Sequence, residues 1–156
     1  MGRVKYFTDR TEKTELCVLC LVEDGSRILV QNRTKPDWRG VVLPGGHVEK
    51  EESMVEAVIR EMQEETGLTV IAPRLCGVKQ FPGEYGRYLV LLFKTSQFTG
   101  TLQSSDEGEV WWEERNNLHN LNLVPDFEAM LSVFDRDDLT EFQYVGSPDQ
   151  WKLIIR

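Results

Sequence analysis

The chain of 156 residues lacks any apolar run of the roughly 18 residues that a membrane-spanning helix requires. Its N-terminal segment, MGRVKYFTDRTEKTEL, also lacks the apolar core of a secretory signal peptide, and MGRVKY lacks the Ser or Thr of a myristoylation signal. We therefore expect a cytoplasmic protein that does not bind membranes.

Basic residues are scarce, because 18 Lys and Arg stand against 26 Asp and Glu and give a formal net charge of −8. This balance disfavours non-specific binding to nucleic acid polymers or to anionic lipid, since both carry dense negative charge. A small phosphorylated substrate is compatible with it if metal ions supply positive charge. We expect no nucleic-acid partner, and both a monomer and a homodimer fit the sequence.

Cysteine is also rare, and its three copies predict no zinc or redox site. Cys17 and Cys20 form a C-x-x-C pair, but there is no second pair, and ELCVLCLV is typical of a buried strand. Residues three apart on a strand face opposite sides of a sheet, so we expect the two thiols to pack as small core side chains. The solitary Cys76 has the same interpretation.

The order of apolar runs and turn signals predicts an α/β (α+β) fold in one domain over residues 1–156, with a mixed sheet between helices. Strands at 15–22 and 28–33 are expected to form a hairpin through the turn signal DGSR. The short strand VVL should end at Pro44 and the two glycines after it. Helices are expected from Ser53 to Gly67 and over 126–137. Further strands are predicted in TVIAPRLCGVKQF, RYLVLLFKTSQF, VWWEE, EFQYV and WKLIIR.

The first of these helices gathers like charges. Ser53, with a glutamate three residues later, forms a capping box, and Gly67 ends the helix. In the segment REMQEETGL, Glu61, Glu64 and Glu65 fall within an arc of roughly 100° beside an apolar stripe. These carboxylates repel one another, and near the helix C-terminus they also meet the negative end of the helix dipole. Something outside the helix must compensate.

Bound divalent metal would offset this repulsion. Mg²⁺ takes oxygen ligands, typically one or two carboxylates together with water and substrate phosphates. Gly45 and Gly46 lie upstream and allow a close backbone approach, so that a main-chain carbonyl can join the cluster. A solvated acidic face is the alternative explanation for clustered glutamates. It fits Glu56 and Gln63, on the far side of the helix, better than it fits the three carboxylates beside the core.

This arrangement resembles the signature of the Nudix hydrolases, G-x5-E-x7-R-E-U-x-E-E-x-G-U, in which U is hydrophobic. The matching residues are Gly46, Glu52, Arg60, Glu61, Met62, Glu64, Glu65, Gly67 and Leu68, and no position is missing. The resemblance implies an α/β/α sandwich with a mixed sheet. It also implies metal-dependent hydrolysis of a nucleoside diphosphate linked to another group.

The same resemblance implies residue roles. The metal, Mg²⁺ or Mn²⁺, would be held by Glu61, Glu64, Glu65 and the carbonyl of Gly45. Glu52 and Arg60 would order the loop and the helix around the ion. A further carboxylate is expected from the loop that faces the helix, where Glu107 and Glu109 are both candidates. Glu61 or one of these loop glutamates would act as the general base.

Beyond this box the chain resembles the MutT- and MutX-type Nudix enzymes, which are 8-oxo-dGTP diphosphatases that clean the nucleotide pool and so protect DNA. The stretches that carry the likeness are WRGVVLPGGHVE and GVKQFPGEYGRYLVLLFKTSQFTGTLQSSDEGEVWWEE. The residues implied to bind substrate are Arg33, Arg87, Asn122 and Asp126. Asp126 is also a good N-cap for the helix that follows it, and we favour that structural role. Trp38 and Phe81 suit either stacking on a base or packing in the core.

Three functions are compatible with the sequence. The first is hydrolysis of 8-oxo-dGTP or a related purine nucleoside triphosphate to the monophosphate and pyrophosphate. The second keeps this chemistry with ADP-ribose or another nucleoside diphosphate conjugate, since Pro82 and Tyr85 lie near positions that mark such substrates in other Nudix branches. The third is a Nudix-fold module that binds a nucleotide without cleaving it, although this box retains every acidic position.

Overall fold

A computed structural model describes residues 10–156 of the chain. The described strands are β1 (Thr14–Asp24), β2 (Arg27–Arg33), β3 (Gly40–Val42), β4 (Gly45–His47), β5 (Leu68–Ile71), β6 (Arg74–Gly83), β7 (Gly86–Thr95), β8 (Gln97–Gly100), β9 (Gly108–Glu114), β10 (Glu141–Val145) and β11 (Lys152–Ile155). The α-helices of this part are α1 (Met54–Thr66) and α2 (Phe127–Asp135), and short 3-10 helices span Arg115–Asn120 and Pro148–Gln150. Neither α-helix is long and apolar enough to cross a membrane.

Most of the described strands form one mixed sheet, as predicted. Its central path runs β11-β10-β6-β7-β1-β2-β3, with β4 paired to β1 and β9 paired to β2. The pairs β1–β7 and β6–β10 are parallel, and the other pairs are antiparallel. Strands β5 and β8 form a separate two-stranded sheet.

The predicted first hairpin is present but short. Strands β1 and β2 pair only at Glu23–Ile28 and Asp24–Arg27, because β1 pairs with β7 and β4 along most of its length. Two runs predicted as single strands are each broken in two. The first breaks at Ala72, which has a φ of 50°, and the second breaks at Ser96. Thr95 stabilises the second break, since its hydroxyl donates to Ile71 O and accepts from the backbone N–H of Gln97.

Helices cover both faces of the sheet, and the side chains of β1 alternate between them. Leu19 and Leu21 belong to the core beneath α2, whereas Val18 and Cys20 belong to the core beneath α1. Cys17 lies on the α2 side, so the two thiols of the C-x-x-C pair face opposite ways, as predicted. All three cysteines are free, and burial raises the pKa of Cys17 to about 11 and that of Cys20 to about 12. Reactive thiolates are disfavoured at both positions.

The boundaries of α1 agree with the prediction. The Ser53 hydroxyl accepts a hydrogen bond from the backbone N–H of Glu56, and Gly67 ends the helix in the left-handed region with a φ of 75°. The predicted second helix ends at Asp135 rather than at residue 137, because Arg136 is already extended. These differences at a helix end do not move the packed face of α2, which carries Phe127, Met130, Leu131, Val133 and Phe134.

The prediction that Asp126 caps α2 is wrong. Asp126 occupies the N-cap position, but its backbone is left-handed, with a φ of 59°, and its carboxylate makes no capping hydrogen bond. The carboxylate instead accepts a hydrogen bond from the Tyr144 hydroxyl on β10. The hydrogen bond to Tyr144 on β10 therefore replaces the helix cap that the local sequence favours for Asp126.

Strand β4 was not predicted, because Pro44 and two glycines favour a turn. Its pairing with β1 overrides that local preference. The approach is so close that a Cβ at Gly45 would lie 2.0 Å from Val18 O, which only glycine avoids. The segment just before α1 is thereby fixed to the centre of the sheet.

We predict that Gly67→Ala destabilises the protein more than Gly25→Ala does. Both glycines have positive φ, 75° and 61°, so each alanine should cost about 1–2 kcal/mol of backbone strain. A Cβ at residue 67 would also lie 2.6 Å from Thr101 O, whereas a Cβ at residue 25 meets no atom within 4 Å. Urea unfolding measures both changes in the free energy of unfolding, and equal losses would contradict the close contact at Gly67.

Candidate active site

The acidic residues of α1 open into a pocket of about 470 Å³ between the helix and the loop that precedes β9. Its lining residues are Glu49, Arg60, Glu61, Glu64, Glu65, Ser105, Asp106 and Glu107. The three carboxylates predicted to point together therefore do reach a common space. Glu107, one of the two candidate loop glutamates, lies in the same lining. Glu109 lies on β9 opposite Asn32 and is not part of it.

Arg60 forms hydrogen bonds with three of the carboxylates in and around this pocket. Its Nε and Nη2 donate to the two carboxylate oxygens of Glu52 at 2.7 and 2.9 Å. Its Nη1 lies 3.0 Å from Glu61 Oε1 and 3.2 Å from Glu64 Oε2. Hydrogen bonding by this guanidinium lowers the pKa of Glu52 to about 2, so Glu52 is ionised at all ordinary pH values. One arginine thus links the loop before α1 to two of the helix carboxylates.

The outward edge of β4 also faces α1. Pro44 O and Val48 N are bonded to β1, and because bonded positions alternate along an antiparallel pair, Gly45 and His47 turn their polar groups away from the partner strand. Accordingly, Gly45 N donates to Glu65 at 3.1 Å, and His47 O accepts from Arg60 at 2.9 Å. The carbonyl of Gly45 points to the same side as its N–H and is therefore suitably directed for the ligand role predicted for it.

Glu65 is the most deeply buried of the carboxylates, with 6% of its surface exposed. It accepts hydrogen bonds from Gly45 N and from Gln31 Nε2, the latter at 3.3 Å. Burial raises the pKa of Glu65 to about 7 against these bonds, and the charges of Glu61 and Glu107 add to the rise. Burial also raises the pKa of Glu61, although Arg60 opposes this effect. The negative charges of Glu61 and Glu65 are therefore only partly balanced by their neighbours.

The donor set fits a hard divalent cation, because carboxylate and carbonyl oxygens are the ligands that Mg²⁺ and Mn²⁺ prefer. Gly46 leaves the necessary room, since a Cβ there would lie 2.5 Å from the Glu61 carboxyl group. Among residues 10–156, no three acidic, histidine or cysteine side chains stand together at metal-binding spacing. Glu61 and Glu64 are turned towards Arg60 instead. The ligand set therefore stays a prediction.

The two arginines predicted to bind substrate have different surroundings. Arg33, at the end of β2, places its guanidinium carbon 5.0 Å from the ring centroid of Trp38, and its Nε is buried without a hydrogen bond. Arg87 is exposed, and it pairs with Glu12 at 2.8 Å and donates to Gln80 at 2.8 Å. It does not line the acidic pocket.

Asn122 and Asp126 lie on the loop that runs along β3. Val41 N donates to Asn122 O at 2.8 Å, and Val124 N donates to Val41 O at 3.0 Å, so the loop is fixed by its backbone. The side chain of Asn122 is exposed. That of Asp126 is bonded to Tyr144, as described above. Neither residue lines the acidic pocket.

Sequence reasoning missed a buried lysine near these residues. Lys79 is 6% exposed and lies among Trp38, Phe81, Phe142 and Tyr144. The signal was present, because strand alternation places Lys79 on the same face as Phe81. Glu49 and Asp106, which line the acidic pocket, were also missed, since nothing local separates them from other loop carboxylates.

Comparisons with known proteins identify the family of this chain. The family model described as the NUDIX domain matches residues 13–134. An uncharacterized Nudix hydrolase of Bacillus subtilis, YvcI, is 33% identical over 112 residues, which cover 68% of this chain and 70% of that protein. An ADP-ribose pyrophosphatase of Methanocaldococcus jannaschii is 34% identical over 120 residues, which cover 74% of this chain and 70% of that protein. The crystal structure of a mutator MutT protein from Bacillus halodurans superposes with a TM-score of 0.76 at 27% identity, covering 90% of this chain and 97% of that one.

We predict that, without metal, Glu65→Gln stabilises the protein by an amount that grows with pH. The pKa of Glu65 is about 7 in the folded protein, above its ordinary value of 4.5, so folding favours the protonated form. Its contribution to stability is fully present below about pH 4.5 and is lost as the pH rises through 7. Melting temperatures in chelator between pH 5 and 8 measure this effect. Glu56→Gln, on the exposed face of α1, is the matched control, and a Glu65→Gln gain that did not change with pH would contradict the prediction.

Proposed function

We propose a substrate class and a mechanism for this chain, which belongs to the Nudix family and is a hydrolase. The proposed reaction converts 8-oxo-dGTP, or a related purine nucleoside triphosphate, to the monophosphate and pyrophosphate. The observation that carries this proposal is the acidic pocket, in which the carboxylates of α1 face Glu107 across a space of about 470 Å³. Removal of oxidised nucleotides in the cytoplasm, before they enter DNA, is the role that we assign to it.

The proposed metal site uses the pocket's own oxygen atoms. Its ligands would be Glu61, Glu64, Glu65 and Glu107, with the carbonyl of Gly45. When bound there, Mg²⁺ or Mn²⁺ neutralises phosphate charge and polarises the phosphorus centre. Nudix hydrolases generally depend on divalent metal, and this pocket, rich in carboxylates and poor in basic groups, needs such a charge to receive a triphosphate.

The remaining residues of the pocket position these ligands. Glu52 fixes Arg60 through two hydrogen bonds, and Arg60 in turn holds the loop carbonyl of His47. Gly45 and Gln31 orient Glu65 by donating to it. Glu61 and Glu107 are the two candidates for the general base, since both line the space in which an attacking water would lie. No covalent nucleophile is required.

The proposed path of the substrate runs from the acidic pocket towards Trp38. In the pairing of β2 with β9, Arg33 lies opposite Gly108, the residue that follows Glu107 of the acidic pocket. Arg33 also lies over the Trp38 ring. We assign Arg33 to the phosphate chain and the aromatic surface around Trp38 and Phe81 to the base, with Arg87, Asn122 and Asp126 at its margin.

A second candidate is hydrolysis of ADP-ribose, favoured by the similarity to the Methanocaldococcus jannaschii enzyme named for that activity. The chain's own geometry supports it less. Tyr85, one of the residues that raised this alternative, lies at the tip between β6 and β7 with 73% of its surface exposed and does not line the acidic pocket.

We predict that Glu64→Gln and Glu65→Gln each lower turnover by more than about 100-fold, beyond the usual cost of losing a residue that only supports a metal ligand. Each change removes one negative charge from the proposed site. Circular dichroism should show an intact fold in both variants. Glu56→Gln, which removes a charge from the opposite side of the same helix, should retain activity. Full activity in both pocket variants would exclude the proposed metal site.

We further predict that the purified protein, with Mg²⁺ or Mn²⁺, releases pyrophosphate and a nucleoside monophosphate from 8-oxo-dGTP or dGTP. A panel that also contains CTP and ADP-ribose, with separate assays for pyrophosphate and phosphate, provides the measurement. AMP and ribose 5-phosphate from ADP-ribose, without triphosphate turnover, would establish the second candidate. Tight nucleotide binding without turnover of any compound would instead indicate a binding module.

A further inference from the structure

The side chain of Lys79 is an unusual group to find inside a small protein. It lies on β6 beside Phe142 of β10, and 6% of its surface is exposed. Its ammonium nitrogen lies 5.0 Å from the ring centroid of Phe142, 5.4 Å from that of Trp38, and 5.8 Å from those of Phe81 and Tyr144. No residue between 10 and 156 forms a hydrogen bond or an ion pair with it.

Cation–π contacts offset only part of the cost of burying this charge. A largely buried ammonium group gives up most of its hydration, and such contacts replace that hydration only in part. Burial lowers the pKa of Lys79 to about 8, and Asp126 is the charged group that opposes this shift. If the ammonium group had no function, leucine or methionine at this position would give a more stable core.

The lysine lies beside Trp38, at the end of the proposed substrate path. The Trp38 ring is contacted by Arg33 at 5.0 Å and by Lys79 at 5.4 Å, so it connects the two cations. Arg33 lies opposite Gly108 in the pairing of β2 with β9, next to Glu107 of the acidic pocket. The negative charge that acts on Lys79 is instead that of Asp126, which does not line the acidic pocket. The phosphate chain therefore belongs with Arg33, and the base belongs with Lys79.

An ammonium group donates hydrogen bonds and accepts none. A planar base that stacks on these aromatic rings therefore has to turn acceptor atoms towards Lys79. Guanine and 8-oxoguanine present a carbonyl oxygen at C6, whereas adenine presents an amino group there, which is itself a donor. Two donors face to face leave a buried group unpaired, and this is the strongest form of discrimination available to a small site.

We propose that Lys79 is a specificity-determining residue whose ammonium group donates to the C6 carbonyl of a purine and so selects guanine-type bases over adenine. This inference rests on the nucleoside triphosphate activity proposed above. It extends that proposal by naming the atom that is recognised. Because guanine and 8-oxoguanine share this carbonyl, Lys79 does not distinguish between them.

The test compares wild type with Lys79→Met, which keeps the volume and removes the donor, and with Lys79→Gln, which keeps an N–H donor. We expect wild type to prefer dGTP to dATP in kcat/KM, and we expect Lys79→Met to reduce that preference by about tenfold or more. Lys79→Gln should retain an intermediate preference. The ratio of 8-oxo-dGTP to dGTP should not change. Lys152→Met, on the exposed edge strand β11, is the matched control and should leave every ratio unaltered.

Two results would overturn the assignment while leaving the proposed hydrolysis intact. One is an unchanged ratio of dGTP to dATP in a folded Lys79→Met protein. The other is an equal rise in KM for both nucleotides, because that would place the ammonium group on a phosphate. Calorimetric binding of dGMP and dAMP provides a readout that needs no turnover. If no triphosphate is hydrolysed, the proposed function fails, and weaker binding of dGMP but not of dAMP by Lys79→Met would still support the base contact.

Discussion

The pairing of Arg60 with the carboxylates around it is the interaction on which the acidic pocket depends. A single guanidinium bonds both oxygens of Glu52, the carbonyl of His47 and the carboxylates of Glu61 and Glu64. Arginine suits this task because its planar fork donates in several directions at once. The loop before α1 and the acidic face of the helix are thereby held as one unit, although most of the charges in it have the same sign.

The arginine does not balance all of the negative charge. Glu65 lies deeper, beyond its reach, and is held by neutral donors from Gly45 and Gln31. Burial raises the pKa of Glu65 to about 7, and the charges of Glu61 and Glu107 add to the rise. A divalent cation bound at the proposed site would balance this negative charge.

In the proposed function, phosphate binding and base binding fall on opposite sides of the sheet. The carboxylates of α1 lie on one side of the sheet, while Lys79 and the aromatic rings around it belong to the other side, with the core beneath α2. Arg33 lies between these regions, with its guanidinium over Trp38 and its backbone opposite Gly108, next to Glu107 of the pocket. A nucleotide is itself divided in this way into charged phosphates and a planar base, so one substrate can engage both regions at once.

The sequence by itself determined α1, its caps at Ser53 and Gly67, and the common direction of its three carboxylates. These features depend on contacts within a few residues, and helical periodicity fixes them before any tertiary contact forms. The mixed sheet between helices was also predictable, from the order of apolar runs. The order of its strands was not, because the parallel pairs β1–β7 and β6–β10 join segments far apart in the chain.

Only the tertiary structure decided which loop glutamate enters the pocket, how Asp126 is bonded and where Lys79 lies. The local sequence gives no reason to prefer Glu107 over Glu109. The pairing of β9 with β2 distinguishes them, because Glu109 lies within the strand and Glu107 lies in the loop before it. Lys79 meets Phe142 because β10 lies beside β6 in the sheet, and Asp126 meets Tyr144 because β10 also carries that hydroxyl. Charge, burial and partner at such positions are properties of the assembled sheet, and a local pattern of residues carries no record of them.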